Sequence, residues 1–397
     1  MIAPKIRQTI NSKGASVIRK MFEEGIQLKK QYGEDSVFDF SLGNPDLDPP
    51  REVLDAIVEV AQDTSHGCHG YMPNAGYSET RQAMAEKVGG EQQTKLEEKN
   101  VVMTVGAASA LNCVFKAILS EGDEVIVPAP FFAEYRHYVS NFGGKLVEVP
   151  AEKDFSLNIC GIEKVLSEKT AAVLINTPNN PTGKIYSEAE ISSLTAVLKK
   201  HGTACGRMPY LVCDEPYRAI VYDGAEVPPV FPKYENSVVV SSFAKDLSIP
   251  GERIGYIAVN PACEDAEEFI SACTFCLRTL GCVNAPAFFQ KVVAKSWNAK
   301  ADYSSYAHRR DLLMKILDKA GLEYFRPQGA FYLFVKVPEV WKEDDSAFCD
   351  HLKKFLILSA PGGGFGKKGY FRLAYCVSEK TIINSEKAFI QAAKNQE

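Results

Sequence analysis

Residues that could perform chemistry occur at four places in this chain: the turn Gly106-Ala107-Ala108-Ser109, Asp214 and Lys245 each follow a short apolar segment, and Arg253 directly precedes one. A lysine that is partly buried can have a lowered pKa, and its neutral amine is then a nucleophile. A carboxylate at the end of an apolar strand is costly unless a cation or a hydrogen-bond donor meets it. These residue types suit capture of an aldehyde by the lysine, beside a protonated group that pairs with the carboxylate.

The turn and the arginine suggest that the same ligand carries a phosphate. Gly106 to Ser109 precedes a predicted helix, whose free N–H groups and positive dipole favour an anion, and Arg253 could pair with that anion. Taken singly, each position has a simpler explanation: a tight turn, a helix N-cap, a solvated lysine and a surface ion pair. One ligand with a phosphate, a protonatable ring nitrogen and an aldehyde would account for all four together.

The elements that would position these residues form a repeating pattern from about residue 100 to 260. Short β-branched runs alternate with helical periodicity, which predicts βαβ units and a largely parallel sheet. The predicted strands are 101–105, 124–127, 145–149, 171–176, 210–213, 237–242 and 254–259. Ligands bind outside the carboxyl ends of such strands, so the residues that follow them, including Asn180, are expected to meet at one edge.

Helix signals separate these strands, and the pattern changes after about residue 285. Ser187 and Glu190 form a capping box that begins a predicted helix, and Gly202 lies where a C-cap glycine would end it. From about residue 285 onward a charged helix, a strand at 332–335, another helix and a strand at 370–375 predict a second, α+β domain.

The composition of the chain argues against several classes of function. The chain has 397 residues, a formal charge of -5 and no basic stripe, which argues against nucleic acid as a partner. Its apolar residues occur in short blocks and its first residues show no targeting signal, which predicts no membrane association and a cytoplasmic location. The 11 cysteines are scattered without zinc-site spacing, and we interpret them, Cys273 and Cys276 included, as reduced core thiols with no metal.

Several motifs in this sequence resemble those of the fold type I aminotransferases of class I, the superfamily of aspartate and aromatic aminotransferases that depend on pyridoxal 5'-phosphate (PLP). The resemblance covers nearly the whole chain. The motifs are Ser41-Leu42-Gly43-Asn44-Pro45, Tyr71-Met72-Pro73-Asn74-Ala75-Gly76, Asn179-Asn180-Pro181-Thr182-Gly183, Cys213-Asp214-Glu215-Pro216-Tyr217, Ser242-Phe243-Ala244-Lys245 and Phe371-Arg372-Leu373-Ala374.

This resemblance implies a role for each matching residue around the cofactor. Lys245 would hold PLP as a Schiff base, Asp214 would pair with the pyridine nitrogen, and Asn180 and Tyr217 would bind the ring hydroxyl. The phosphate would be held at the turn that begins with Gly106, with contributions from the Ala107 and Ala108 amides, the Ser242 hydroxyl and Arg253.

The remaining matches concern the substrate and the subunit contact. Phe132 would stack on the cofactor ring, and Tyr71 would reach the phosphate of the neighbouring subunit, which implies a homodimer. Arg372 would bind the substrate carboxylate, with Gly43 in the segment that folds over the substrate and Asn180 beside it.

The resemblance also implies an overall α/β fold: a large domain with a mostly parallel seven-stranded sheet between helices, plus a smaller α+β domain. We predict a large PLP-binding domain at 46–284 and a small domain formed by 1–45 and 285–397. The implied reaction moves an amino group between an L-amino acid and a 2-oxo acid by a ping-pong mechanism, with Lys245 as general base and acid.

Two other functions share this set of residues. A PLP-dependent carbon–sulfur lyase would use the same cofactor site and would release ammonia and pyruvate without a keto-acid acceptor. A regulator that binds an effector in this fold is disfavoured, because no helix-turn-helix pattern precedes residue 40 and Lys245 is present.

Substrate choice depends on a second cation, which acid-specific relatives place in the phosphate turn or bring from the partner subunit. The turn position here is Ser109, and Arg278 matches the partner arginine only with an offset of one residue, so we interpret it as a surface charge. With Phe131, Phe132 and Tyr71 expected near the pocket, the sequence favours a neutral or aromatic donor over aspartate.

Overall fold

The computed structural model describes residues 2–11 and 17–394. The helices are α1 (Pro4–Asn11), α2 (Val17–Tyr32), α3 (Arg51–Ala61), α4 (Ser78–Glu91), α5 (Gly106–Ile118), α6 (Tyr135–Ser140), α7 (Ile159–Val165), α8 (Glu188–Cys205), α9 (Phe243–Asp246), α10 (Ala266–Thr279), α11 (Ala287–Ser296), α12 (Ser304–Ala320), α13 (Asp345–Lys353), α14 (Glu379–Asn384) and α15 (Glu386–Lys394). The strands are β1 (Phe38–Asp39), β2 (Val101–Thr104), β3 (Glu124–Ala129), β4 (Lys145–Pro150), β5 (Thr170–Asn176), β6 (Tyr210–Asp214), β7 (Ser237–Ser242), β8 (Gly255–Val259), β9 (Tyr324–Phe325), β10 (Tyr332–Lys336), β11 (Ile357–Leu358), β12 (Ala360–Pro361) and β13 (Tyr370–Ala374).

The large sheet contains seven strands in the order β2-β8-β7-β6-β5-β3-β4. Each of them coincides, within one or two residues, with a strand predicted from the sequence. All neighbouring pairs are parallel except the two made by β8, which runs antiparallel to β2 and β7. The prediction of a mostly parallel α/β sheet is therefore confirmed.

The central strands are apolar throughout because both faces of the sheet are covered. In β5, Val173 and Ile175 pack into a core with α8, whereas Ala172 and Leu174 pack on the other side with α5. Successive side chains of a strand point to opposite faces, so a strand between two helical layers needs apolar residues at every position. The same pattern explains why β7 is entirely buried.

A second core surrounds a small antiparallel sheet, in the order β12-β13-β10-β9, with α12, α14 and α15 beside it. Residues 38–40 join this part, because β1 pairs with β11 and Phe40 packs against Phe389. The smaller α+β part of the fold prediction is confirmed.

The division of the chain at residue 285 stays a prediction. Helix α11 packs Val292 and Val293 into the core of the large sheet, beside α3 and α4, which favours a boundary after residue 296. Met1, 12–16 and 395–397, which the predicted small domain includes, lie outside the described residues.

The predicted end of α8 is wrong by four residues. Gly202 lies inside the helix and is buried, whereas Gly206 adopts the left-handed conformation that ends it, with φ 71°. A side chain at Gly202 would overlap Met208, so this glycine serves a close contact instead of a cap. The predicted capping box of Ser187 and Glu190 is present. Across the described ranges, no helix is both long and apolar enough to span a membrane.

Candidate active site

Three adjacent parallel strands end in polar residues at one edge of the large sheet. Asn176 is the last residue of β5, Asp214 of β6 and Ser242 of β7, and Asn176 pairs with Asp214 across the two strands. The Asn176 side-chain amide donates to the Asp214 carbonyl oxygen at 2.8 Å and its oxygen accepts from the Asn180 amide at 2.7 Å. Carboxyl ends of neighbouring parallel strands therefore converge here, as expected for a ligand site in an α/β sheet.

These strand ends form the floor of a cavity of about 310 Å³ that also reaches the small sheet. The predicted site residues that line it are Gly43, Ala107, Ala108, Phe132, Asn180, Asp214, Tyr217, Ser242, Lys245, Arg253 and Arg372. The walls come from both parts of the chain, because Gly43 and Arg372 lie with the small sheet and the others with the large one.

Lys245 lies in the short helix α9, directly after β7, and its side chain enters the cavity. Nζ donates to the carbonyl oxygen of Gly43 at 2.7 Å and lies 5.5 Å from the centre of the Phe331 ring. Burial lowers the pKa of the amine from 10.5 to about 8, and the positive charges of Arg372 and Arg253 add to this effect. An amine of this pKa is partly neutral near physiological pH, which makes it a competent nucleophile and proton carrier.

Asp214 is buried, with 6% of its surface exposed, and receives a hydrogen bond from the hydroxyl of Tyr135 on its Oδ2 atom. Burial raises the pKa of the carboxyl to about 7, the Tyr135 hydrogen bond opposes this and the charge of Glu215 adds to it. In the described part of the chain its second oxygen, Oδ1, has no hydrogen-bond partner. A cation or an N–H donor in the cavity would satisfy this atom.

The turn after β2 leads into α5. Gly106 is the first residue of α5, and its φ is 75°. A Cβ at this position would lie 2.9 Å from an Nη atom of Arg253, so the glycine allows the guanidinium to approach the helix N-terminus. Arg253 also adopts a left-handed conformation, with φ 54°, and donates to the Pro250 carbonyl oxygen. Ala107, Ala108 and the guanidinium of Arg253 thus lie together at one corner of the cavity, where free N–H groups at a helix N-terminus and a positive charge favour an anion.

Arg372 also lines the cavity, and only 2% of its surface is exposed. It comes from β13, and its Nη atoms donate to Asn180 Oδ1 at 2.9 Å and to the Ser41 carbonyl oxygen at 2.6 Å. Burial lowers the pKa of the guanidinium below its usual range. Within the described residues its Nε atom has no hydrogen-bond partner, which leaves a donor for a carboxylate.

Three predicted residues lie elsewhere. Tyr71 is 94% exposed and does not line the cavity of its own chain. Phe131 is wrong as a pocket residue, because it is buried under the Arg136 guanidinium and beside Tyr135. Arg278 is exposed on α10, stacked on Phe275.

Sequence reasoning missed Tyr135 and Tyr332, which contact Asp214 and Tyr217 respectively. Tyr332 begins the strand predicted at 332–335, whereas Tyr135 lies between Glu134 and Arg136, in a segment without a predicted element. A buried tyrosine usually needs a partner for its hydroxyl, and this is the signal that could have identified them.

Comparisons with known proteins agree with this geometry. Residues 35–385 match the family described as aminotransferase class I and II. A relative from Aquifex aeolicus, named a probable aspartate/prephenate aminotransferase, is 32% identical over 372 residues, or 87% of this chain and 88% of the relative. The aromatic-amino-acid aminotransferase 2 of Thermococcus litoralis is 28% identical over 382 residues, or 92% of each chain. The crystal structure of an aminotransferase from Eubacterium rectale superimposes with a TM-score of 0.94 at 39% identity, covering 99% of this chain and 98% of that one.

The fold and the cavity define a PLP-dependent transferase of the α/β class. The chain belongs to the aminotransferase class I and II family and is an aminotransferase. This family uses pyridoxal 5'-phosphate. The residues of the cavity fit that cofactor, because the unpartnered Asp214 Oδ1 suits a protonated nitrogen, the Gly106 turn suits a phosphate and the Lys245 amine suits an aldehyde.

Proposed function

We propose that the cavity binds PLP through the residues that the sequence singled out. Lys245 would bond to the cofactor, Asp214 would pair with its ring nitrogen, and Asn180 and Tyr217 would bind its ring hydroxyl. The Gly106 turn, Ala107, Ala108, Ser242 and Arg253 would hold the phosphate, and Phe132 would cover the ring. The unpartnered Oδ1 atom of Asp214 carries this proposal, because a buried carboxylate oxygen without a donor is costly in the protein alone.

The chain's own groups would then carry the amino transfer. Bound PLP supplies an aldehyde that accepts an amino group and a ring that withdraws electrons from the substrate Cα. Arg372 orients the substrate by its carboxylate, and the Lys245 amine, once free, takes the Cα proton and returns it. Burial in the cavity lowers the pKa of this amine toward neutrality, which suits a group that both accepts and donates a proton. Release of one keto acid before the other binds would give ping-pong kinetics.

We also propose a homodimer in which Tyr71 enters the site of the neighbouring subunit. An aromatic side chain that is 94% exposed loses most of its contact with water only when another surface covers it. Its segment is held rigidly, because Asn74 donates to the Val283 carbonyl oxygen and Asn284 donates to that of Pro73. Tyr71 and the chain that follows α10 therefore form one surface.

The donor would be a neutral or aromatic amino acid in preference to aspartate. Among the described residues that line the cavity, the basic side chains are Lys245, Arg253 and Arg372, and each already has a proposed partner. None remains for a second substrate carboxylate. The relatives are named for both aspartate and aromatic substrates, so their names do not distinguish the two kinds of donor. The preference for a neutral or aromatic donor therefore rests on the charges that line the cavity.

A half-reaction screen tests the proposal. The enzyme loaded with PLP is mixed with single amino acids, and the loss of the bound-cofactor absorbance ranks the donors. We expect phenylalanine, tyrosine or a neutral aliphatic donor to react faster than aspartate. Rapid turnover of aspartate that is lost in Arg278→Ala would assign aspartate as the donor and place this arginine in the partner's site. Pyruvate and ammonia formed from cysteine conjugates as the main activity would identify a carbon–sulfur lyase.

A further inference from the structure

Tyr332 contacts three residues of the proposed site at once. It is the first residue of β10, is 2% exposed and lines the cavity. Its hydroxyl lies 2.8 Å from that of Tyr217, and its ring lies 4.6 Å from the guanidinium carbon of Arg372. A side chain at Gly43 would overlap the same hydroxyl.

We propose that Tyr332 is a positioning residue that acts through two separate parts of its side chain. Its hydroxyl would orient the Tyr217 hydroxyl on the cofactor side, and its ring would orient the Arg372 guanidinium on the substrate side. This inference rests on the proposed function, which places the cofactor hydroxyl at Tyr217 and the substrate carboxylate at Arg372.

The hydroxyl contact determines where the Tyr217 proton points. Burial raises the pKa of Tyr217 well above its usual range and that of Tyr332 to about 12, so both phenols are neutral at physiological pH. Each can therefore donate one proton and accept another. When Tyr332 donates, Tyr217 keeps its own proton for an acceptor in the cavity, and the second hydrogen bond strengthens the first. Tyr332→Phe would remove this support without removing the ring.

The ring contact determines how Arg372 is presented. Two rings lie close to the guanidinium, with the ring centres of Tyr332 at 4.6 Å and of Phe365 at 4.9 Å from its carbon. A planar guanidinium that stacks on aromatic rings offers its donors along its edge. That edge already contacts Asn180 and the Ser41 carbonyl oxygen. Loss of either ring would let the group rotate away from the plane in which it meets a carboxylate.

Phe365 is the matched control, because the structure pairs its ring with Arg372 and Phe334 and not with Tyr217. The hydroxyl and the ring of Tyr332 can therefore be tested separately. Tyr332→Phe removes only the hydroxyl contact. Phe365→Leu removes a ring from Arg372 and from Phe334 but leaves the Tyr217 hydroxyl contact in place, and Tyr332→Leu removes both effects of Tyr332.

The experiment uses the three variants as PLP-loaded enzymes and measures two quantities besides activity. The first is the pH midpoint at which the absorbance of the bound cofactor changes. The second is the Kd of 3-phenylpropionate, a carboxylate that lacks an amino group. In Tyr332→Phe the midpoint should rise by about half to one pH unit, because a weaker hydrogen bond from Tyr217 leaves more negative charge on the ring oxygen of the cofactor. The Kd of 3-phenylpropionate should stay within about twofold of the parent value.

In Phe365→Leu the Kd should rise about five- to tenfold while the midpoint stays unchanged, and Tyr332→Leu should show both changes. The same separation should appear in turnover, with kcat lowered in Tyr332→Phe and KM raised in Phe365→Leu. An unchanged midpoint in a folded Tyr332→Phe, or the same pattern in Tyr332→Phe and Phe365→Leu, would overturn the proposal. These two variants decide the question even where Tyr332→Leu does not fold. A parent enzyme that shows no cofactor band would instead overturn the proposed function.

Discussion

The rate at which the cofactor-free enzyme captures PLP should follow the neutral fraction of the Lys245 amine. Burial in the cavity lowers the pKa of this amine to about 8, and only the neutral form is a nucleophile. About one tenth of the amine is then neutral at pH 7 and about nine tenths at pH 9, so capture should be about tenfold faster at pH 9 and should level off above it. An amine with the ordinary pKa of 10.5 would instead gain about a hundredfold over the same interval and would continue to gain beyond pH 10.

The assay follows absorbance after rapid mixing of cofactor-free enzyme with PLP from pH 6.5 to 10. The same reaction with N-acetyl-lysine, in which the amine is fully solvated, corrects for the titration of PLP itself. Lys245→Ala should show no fast covalent phase, whereas Lys95→Met, which removes an exposed lysine, should behave as the parent. A corrected rate that rises without a plateau would refute the argument that burial controls this amine.

Three further predictions concern Asp214, Gly43 and Lys87. Asp214→Asn should weaken PLP binding at least about tenfold and lower kcat by about a hundredfold or more, because it removes the charge expected opposite the ring nitrogen. Cofactor titration measures the binding and steady-state kinetics measure kcat. A normal kcat would contradict the assignment. Gly43→Ala should lower kcat/KM about tenfold, since the new Cβ would overlap the Tyr332 hydroxyl, and kinetics of Gly90→Ala, which meets nothing within 4 Å, provide the control. Lys87→Met should destabilise the fold by about 2–4 kcal/mol in urea unfolding at pH 7.5, because it removes the cation that lies 2.6 Å from Glu91 and 3.9 Å from the buried Asp246. The pKa of Asp246 is raised to about 6, so the loss should shrink at pH 5, where this carboxyl is protonated; an equal loss at both values would count against the ion pair.

The large sheet could be predicted from sequence because its strands are buried on both faces. Continuous apolar runs such as Val238–Val240, bounded by helical segments, leave few alternatives to a parallel strand. The positions of Asp214 and Lys245 could be predicted from topology, since polar residues after adjacent parallel strands meet at one edge. Their roles, and the assignment of Gly43, Tyr71 and Arg372 to the site, followed only from the resemblance to the aminotransferase motifs.

The contacts that cross between distant parts of the chain could not be predicted. Tyr332 meets Tyr217 across 115 positions, and Tyr135 meets Asp214 across 79, so no local pattern records either pair. The prediction of where α8 ends was wrong for the same reason. Gly202 is a glycine because Met208 packs against it, and a local rule for helix ends interprets such a glycine as a cap.

The perturbed pKa values of Asp214 and Lys245 have one cause, and this cause connects the stability of the fold to its function. Burial raises the pKa of the carboxyl to about 7 and lowers that of the amine to about 8, so both groups are held in environments that disfavour their charged forms. Each such shift is a cost of folding for the protein without a ligand. A ligand that gives Asp214 a cationic partner and consumes the Lys245 amine removes both costs together, and it therefore binds the folded state in preference to the unfolded one. The burial that lowers the stability of the fold without a ligand thus makes Asp214 and Lys245 selective for a molecule that carries both an aldehyde and a protonated nitrogen.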